Sequence, residues 1–281
     1  RDPLALLAEW DAVPNSGIPL PGDLYGADRK NSRGVNLADP LVLAQITEAR
    51  KWFKSTKWTA AAIGGDTVQK IRNPANSGDT VGTVNPGTAA LADQALARAT
   101  AAAADWRHVP VEIRADCLLR FADLLEDHAV EFFALACREA GKTLPDGIGE
   151  VREAVDFCRY YAEQARTLPS APPRGVIVCI SPWNFPLAIF TGQVVAALVT
   201  GNAVIAKPAE QTPLIAARAV ALMHQAGIPE NVLQLLPGVG ALVGAALVAD
   251  GRVDGICFTG STDTAAIINR AMRQAAIRRR R

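Results

Sequence analysis

From residue 175 onward the chain repeats one pattern four times: a short unbroken apolar run, a polar or glycine-rich turn, then a helical segment. The runs are Gly175-Val176-Ile177-Val178-Cys179-Ile180, Ala203-Val204-Ile205-Ala206, residues 232–236 and residues 255–258. An apolar run without polar alternation suits a strand covered on both faces, as in a parallel sheet. Segments 190–198, 212–227 and 242–250 read as the helical crossovers that parallel strands require, and 261–274 as a closing helix. The pattern predicts an α/β fold, a Rossmann-like parallel sheet with flanking helices.

The half before residue 175 is mostly helical. Residues 1–36 hold many turn formers, among them Asn15-Ser16-Gly17 and Pro21-Gly22, and read as an extended lead-in. Asp39 followed by Pro40 marks a helix start, with the helix running to residue 53. Between 64 and 86, turn residues alternate with short apolar pieces such as Thr80-Val81-Gly82-Thr83-Val84, which predicts an antiparallel hairpin. Helical patterns cover 89–106, 111–125, 130–140 and 148–165 before Pro169, Pro172 and Pro173 interrupt them. The expected organisation is a lead-in over 1–64, a nucleotide-binding domain over 65–274 and a basic tail over 275–281.

Composition removes several function classes. A net charge of +1 and a pI near 7.8 create no field that would select nucleic acid or an anionic membrane. Arg278 to Arg281 form the one dense basic cluster, too narrow for a nucleic-acid face. Five cysteines, none in CxxC spacing, argue against a disulfide framework, and three histidines leave little for a zinc site. There is no 18-residue apolar run and no signal peptide, so a reducing, cytoplasmic compartment is expected. Residue 1 is Arg, so the chain is expected to start inside a longer polypeptide or to have been processed.

Parallel sheets bind ligands beyond the carboxyl ends of their strands. Four turns meet there: Ser181-Pro182-Trp183-Asn184-Phe185-Pro186, Lys207-Pro208-Ala209-Glu210-Gln211-Thr212-Pro213, Pro237-Gly238-Val239-Gly240 and Phe258-Thr259-Gly260-Ser261-Thr262. Each has a plainer reading. Gly238, Gly240 and Gly244 are spaced one residue longer than the usual dinucleotide fingerprint, and Glu210 precedes the glycines instead of following them. Ser261 can be a helix cap, or part of a site where phosphate meets free amides. Lys207 can be a solvated lysine, or can hydrogen-bond ribose hydroxyls beside Glu210. Asn184 can be a turn residue, or can donate its amide to a developing oxyanion.

Taken in order, these four turns resemble those of the NAD(P)-dependent aldehyde dehydrogenase superfamily, and the resemblance extends from Arg72-Asn73-Pro74 to Ala271. It implies that Asn184 stabilises the oxyanion and that Lys207 and Glu210 hold the adenosine ribose. It also implies that Ile180, Ser181, Pro182 and Trp183 line the cofactor cleft, with Gly240, Gly244, Gly260 and Ser261 on the pyrophosphate side. Glu210 favours NAD over NADP, because a carboxylate repels a 2′-phosphate. Tyr25-Gly26, Asn31-Ser32-Arg33-Gly34-Val35-Asn36-Leu37, the stretch 139–146 and Glu150-Val151 are similar to the aldehyde dehydrogenase half of proline utilization A proteins. There, an upstream flavin-dependent proline dehydrogenase feeds a module that oxidises L-glutamate γ-semialdehyde, from 1-pyrroline-5-carboxylate, to L-glutamate. The resemblance thus implies a small aldehyde substrate, with Glu150 and Phe185 on its side of the site, a fused or upstream proline dehydrogenase, and a homo-oligomer in the full-length protein.

The family's nucleophilic cysteine and water-activating glutamate lie in segments resembling G-Q-x-C and E-x-G-G, and neither occurs here. Cys179 and Cys257 fall in apolar strands, and Cys117, Cys137 and Cys158 on helices; nothing in the sequence depresses a thiol pKa. Two other readings are a non-catalytic nucleotide-binding remnant and an enzyme for another semialdehyde, such as succinate semialdehyde. A coding sequence that continues past Arg281 into the cysteine segment separates the first from an enzyme; residues 31–37 argue against the second. Without the thiolate no hydride donor forms, so the purified chain alone should show no aldehyde-dependent rise in NADH absorbance. A rate above the aldehyde-free control would refute this.

Overall fold

The computed structural model describes residues 17, 19, 21–27, 29–62, 64–168 and 172–279. The expectations at Asn15, Ser16 and Pro169, and at the last two arginines, lie outside these. Asp39 caps helix α1 (Pro40–Lys51), its carboxylate accepting from the Leu41 amide at 2.8 Å. A three-stranded sheet follows, β1 (Trp58–Ala61), β2 (Gln69–Asn73) and β3 (Asn76–Asn85), in the order β1-β3-β2. β2 and β3 make the expected antiparallel hairpin. β1 is an addition, pairing parallel with β3, so the sheet spans the boundary expected at residue 64. Its inward alternation amounts to Trp58 and Ala60 alone, too little to announce a strand. Gly82 permits the pairing, since a Cβ there would lie 2.0 Å from the Trp58 carbonyl oxygen.

Four helices come next: α2 (Ala89–Trp106), α3 (Val111–Asp127), α4 (Ala129–Ala140) and α5 (Leu144–Thr167). α5 begins four residues before the expected 148. Thr143 caps the Asp146 amide and Pro145 sits in the first turn, where its missing N–H costs nothing, so the helix starts early.

The four apolar runs become β4 (Val176–Ile180), β5 (Ala203–Lys207), β6 (Leu233–Leu235) and β7 (Gly255–Phe258), all parallel, in the order β6-β5-β4-β7. They alternate with α6 (Ala188–Val199), α7 (Pro213–Gln225), α8 (Ala245–Val248) and α9 (Thr262–Arg279). A π-turn over Gly240–Gly244 replaces the start of the expected 242–250 helix. α9 continues to Arg279, through most of the expected tail, because Ala and Arg favour helix and guanidiniums suit a helix carboxyl end. One sheet face packs Ile177, Cys179, Val204 and Ala206 against α5, α6 and α7. The other packs Val176, Val178, Ala203 and Ile205 against α2 and α8. Among the described residues no helix is long and apolar enough to cross a membrane.

Buried helices need partners for the backbone groups at their ends. Glu139 in α4 accepts from the Leu214 and Ile215 amides of α7 at 2.6 and 2.9 Å. Burial raises its carboxyl to about 8, against the pull of those two amides. Glu150 in α5 does the same for α6, accepting from Leu187 and Ala188 at 3.1 and 2.8 Å. At the other end of α6, Trp106 Nε1 donates to the Leu198 carbonyl (3.0 Å) and Arg114 Nε to that of Val199 (2.8 Å). Glu139→Ala strands two buried amides and should lower the unfolding free energy by ~2–4 kcal/mol. Glu139→Gln, which keeps one acceptor, should lose about half as much in urea unfolding; equal stability of all three proteins would refute the capping role.

Candidate functional site at the carboxyl edge of the sheet

Because β4 to β7 are parallel, the turns after them emerge along one edge, and backbone hydrogen bonds lock them side by side. Leu236 donates to Ala206 (2.9 Å), Ser181 to Lys207 (3.3 Å) and Thr259 to Ile180 (3.2 Å). The edge therefore runs unbroken from the turn after β6, through the ends of β5 and β4, to the turn after β7. Asn184, Lys207, Gly240 and Ser261 all belong to it.

Lys207 is the last residue of β5 and only 4% exposed. Its ammonium donates to the Pro208 carbonyl at 3.1 Å, and among the described residues no carboxylate lies within ion-pair distance. Burial lowers its pKa, while Glu210, exposed on the following turn, pulls it up through space. An ammonium has three donors, so this one is under-satisfied by the protein. Beside it Ser181 is buried with an unpartnered hydroxyl. Two polar groups left short of partners at one strand-end edge are what a polar ligand would complete.

The glycines divide their roles. A Cβ on Gly238 would lie 2.6 Å from Val243 Cγ2, so this glycine shapes the turn. Gly240 faces open space, leaving its backbone approachable. Gly244 packs on the Lys207 stem, where a Cβ would sit 3.6 Å from Cε. Ser261 serves as the cap of α9, its Oγ accepting from the Thr264 amide at 3.2 Å. The cap and the ligand readings of this turn are compatible, since a capped helix still presents its first-turn amides and dipole. Gly260 lies against the Phe258 ring.

Asn184 is exposed between Trp183 and Phe185, 56% and 41% exposed, and makes no hydrogen bond within the described protein. Val239 and Leu242 are exposed on the turn after β6, so apolar side chains stand on both sides of the β5 end. Pro182 and Ile180 are half-buried between them.

Glu150 lies against the amino end of α6. It is 2% exposed, with Oε2 engaged by the α6 amides and Oε1 2.9 Å from Lys142 Nζ. Glu150 thus ties α5 to the start of α6, three residues after Asn184. Lys142 also lies 4.3 Å from the Phe185 ring centroid, tying the pair to the Asn184 loop. Sequence reasoning missed Lys142, whose one signal was its place in the 139–146 stretch. It also missed Gln193, whose amide lies 2.9 Å from Thr259 Oγ1 and links α6 to the turn after β7. A cavity of about 510 Å³ lined by Arg107, Arg114, Arg166 and Arg174 opens at the amino ends of β4 and β5, away from this edge.

Cys117, Cys137 and Cys158 stand on helices, while Cys179 and Cys257 lie one residue short of the ends of β4 and β7. Burial raises Cys117, Cys137 and Cys158, and a hydrogen bond with Cys257, together with burial, raises Cys179. Cys257 is the exception to the expected inert thiols: that same hydrogen bond lowers it to about 7. Both Cys179 and Cys257 face the α5–α6–α7 side of the sheet rather than the crevice.

The aldehyde dehydrogenase family model matches residues 58–279. The bifunctional protein PutA of Klebsiella aerogenes is 48% identical over 266 residues, covering 92% of this chain and 20% of its own length. The 1-pyrroline-5-carboxylate dehydrogenase of Anoxybacillus flavithermus is 44% identical over 221 residues, 72% of this chain and 43% of that enzyme. A crystal structure of Bradyrhizobium japonicum proline utilization A superposes with a TM-score of 0.77 at 44% identity, over 92% of this chain and 25% of that one. A Thermus 1-pyrroline-5-carboxylate dehydrogenase with bound NAD does so with a TM-score of 0.80 at 33% identity, over 86% and 51%. The chain thus spans a fifth of the PutA relative and less than half of the Anoxybacillus enzyme. With its strand-end turns gathered on one edge, the chain belongs to the aldehyde dehydrogenase family.

Proposed function

We propose that the chain is the dinucleotide-holding part of an enzyme that oxidises L-glutamate γ-semialdehyde to L-glutamate with NAD in proline catabolism. The observation that carries the reading is the under-satisfied Lys207 ammonium beside the unpartnered Ser181 hydroxyl, at an edge where four parallel strands end. The similarity to PutA and to 1-pyrroline-5-carboxylate dehydrogenases supplies the substrate. In this reading the enzyme is cytoplasmic and homo-oligomeric, and a proline dehydrogenase module, fused or separate, supplies it.

Each residue then has a task. Lys207 and Glu210 hold the two hydroxyls of the adenosine ribose, the lysine donating and the carboxylate accepting. Gly240, Gly244 and the first turn of α9 at Gly260 and Ser261 give the pyrophosphate close backbone and a positive dipole end. Trp183, Pro182 and Ile180 wall the groove and keep water from it. Asn184 donates its amide N–H to the aldehyde oxygen as negative charge grows there, the Glu150–Lys142 pair holding its loop in place. Phe185 stands on the substrate side. When bound, NAD accepts the hydride.

Titrating NAD into the chain, with Trp183 fluorescence as readout, tests the holding role. Lys207→Met preserves the buried stem and should raise Kd at least tenfold, ~1.4 kcal/mol. Glu210→Gln should shift the NAD-to-NADP affinity ratio toward NADP. No measurable NAD binding to the wild-type chain, or no effect of Lys207→Met, would count against the site. Joined to the downstream part of a related enzyme that carries the E-x-G-G and G-Q-x-C segments, the chain should oxidise L-glutamate γ-semialdehyde. There Asn184→Ala should lower kcat about 100- to 1000-fold with little change in KM; an unchanged kcat would remove Asn184 from the mechanism.

A further inference from the structure

Two thiols that the proposed reaction does not use stand side by side in the sheet. Cys179 of β4 and Cys257 of β7 are register partners on adjacent parallel strands, so their side chains leave the same face. Cys179 is fully buried, while Cys257 is half-buried on a strand at the end of the sheet order. Neighbouring strands lie about 4.8 Å apart, within the Cα spacing of about 4.4–6.8 Å that a disulfide spans. Each thiol is the first influence on the other's titration, as two adjacent sulfurs would be, and Cys257 is the more accessible of the pair. Tyr161 of α5 lies close enough to sense Cys257 in its own titration. Among the described residues the remaining three, Cys117, Cys137 and Cys158, sit on three different helices, none in register with another cysteine.

We propose that Cys179 and Cys257 form a reversible redox pair, with Cys257 attacking hydroperoxides and Cys179 resolving the product as an intramolecular disulfide. In the first step the Cys257 sulfur takes the distal oxygen of the hydroperoxide and the O–O bond breaks. The departing oxygen takes up a proton and leaves as alcohol, or as water when the oxidant is hydrogen peroxide. Cys257 is then a sulfenic acid. In the second step the Cys179 sulfur attacks it, the S–O bond breaks, and water leaves with the Cys179 proton. Two thiols lose two electrons, and one hydroperoxide is reduced. In-register side chains on parallel strands stand about a strand spacing apart, wider than the Cβ separation of about 3.8 Å that a relaxed bridge prefers. The bridge is therefore strained, and strained bridges are readily reduced.

The test uses the whole chain, folded, with hydrogen peroxide in slight excess, followed by alkylation in denaturant and non-reducing peptide mapping. Titratable thiols should fall from five to three, two being consumed, with one linked peptide pair carrying positions 179 and 257. Dithiothreitol should restore all five. Cys179→Ala, a small apolar replacement in the core, should leave Cys257 as a dimedone-reactive sulfenic acid with no bridge. Five unreacted thiols, first oxidation at Cys137, or Cys257 passing to sulfinic acid in the wild-type chain without a bridge would each overturn the proposal.

Discussion

Two buried carboxylates anchor the helices that cover the sheet. α6 and α7 are apolar almost all round, so their first-turn amides have no solvent to turn to. Glu139 and Glu150 reach across from the preceding helical layer and accept from two amides each. Two donors and the positive end of a helix dipole meet each carboxyl group there, and at Glu139 burial still outweighs them and favours the protonated form. The arrangement sets where α6 begins, and hence where the loop bearing Asn184 sits above it. A cavity-sized error at either glutamate would move functional atoms that neither glutamate touches.

The same economy recurs along the strand-end edge, where, under the proposed function, one residue answers both to the fold and to a ligand. Ser261 closes the first turn of α9 and borders the proposed pyrophosphate side. Lys207 fills space against Gly244 with its stem while its ammonium keeps donors in reserve. Such double use explains why the plain and the functional readings of these motifs could not be separated residue by residue. What the fold adds is an incomplete hydrogen-bond inventory at Lys207 and Ser181, visible only once the neighbours are known.

Much of the architecture was legible because its signal is local. Unbroken runs such as Val176 to Ile180 announce buried parallel strands, and Asp39-Pro40 announces a helix start. The failures share a cause in tertiary context. β1 owes its existence to pairing with β3 across Gly82, which four residues cannot advertise. The π-turn at Gly240–Gly244 looks helical in composition, and α9 outran its expected end through residues that favour helix. At the site, strand ends and turn residues were readable, whereas the Glu150–Lys142 pair and the paired thiols were not. Those contacts join positions far apart in sequence, and no spacing rule encodes them.

The way α6 is completed also bears on the order in which the molecule can assemble. Its amino end is closed by Glu150, 37 residues earlier, and its carboxyl end by Trp106 and Arg114, 92 and 85 residues earlier. All three partners leave the ribosome before α6 does. The helical layer can thus gather first and receive α6 as it emerges, whereas α6 made without that layer would expose an apolar rod with open ends. Synthesis from the amino terminus lets the chain meet its partners in the sequence its hydrogen bonds require.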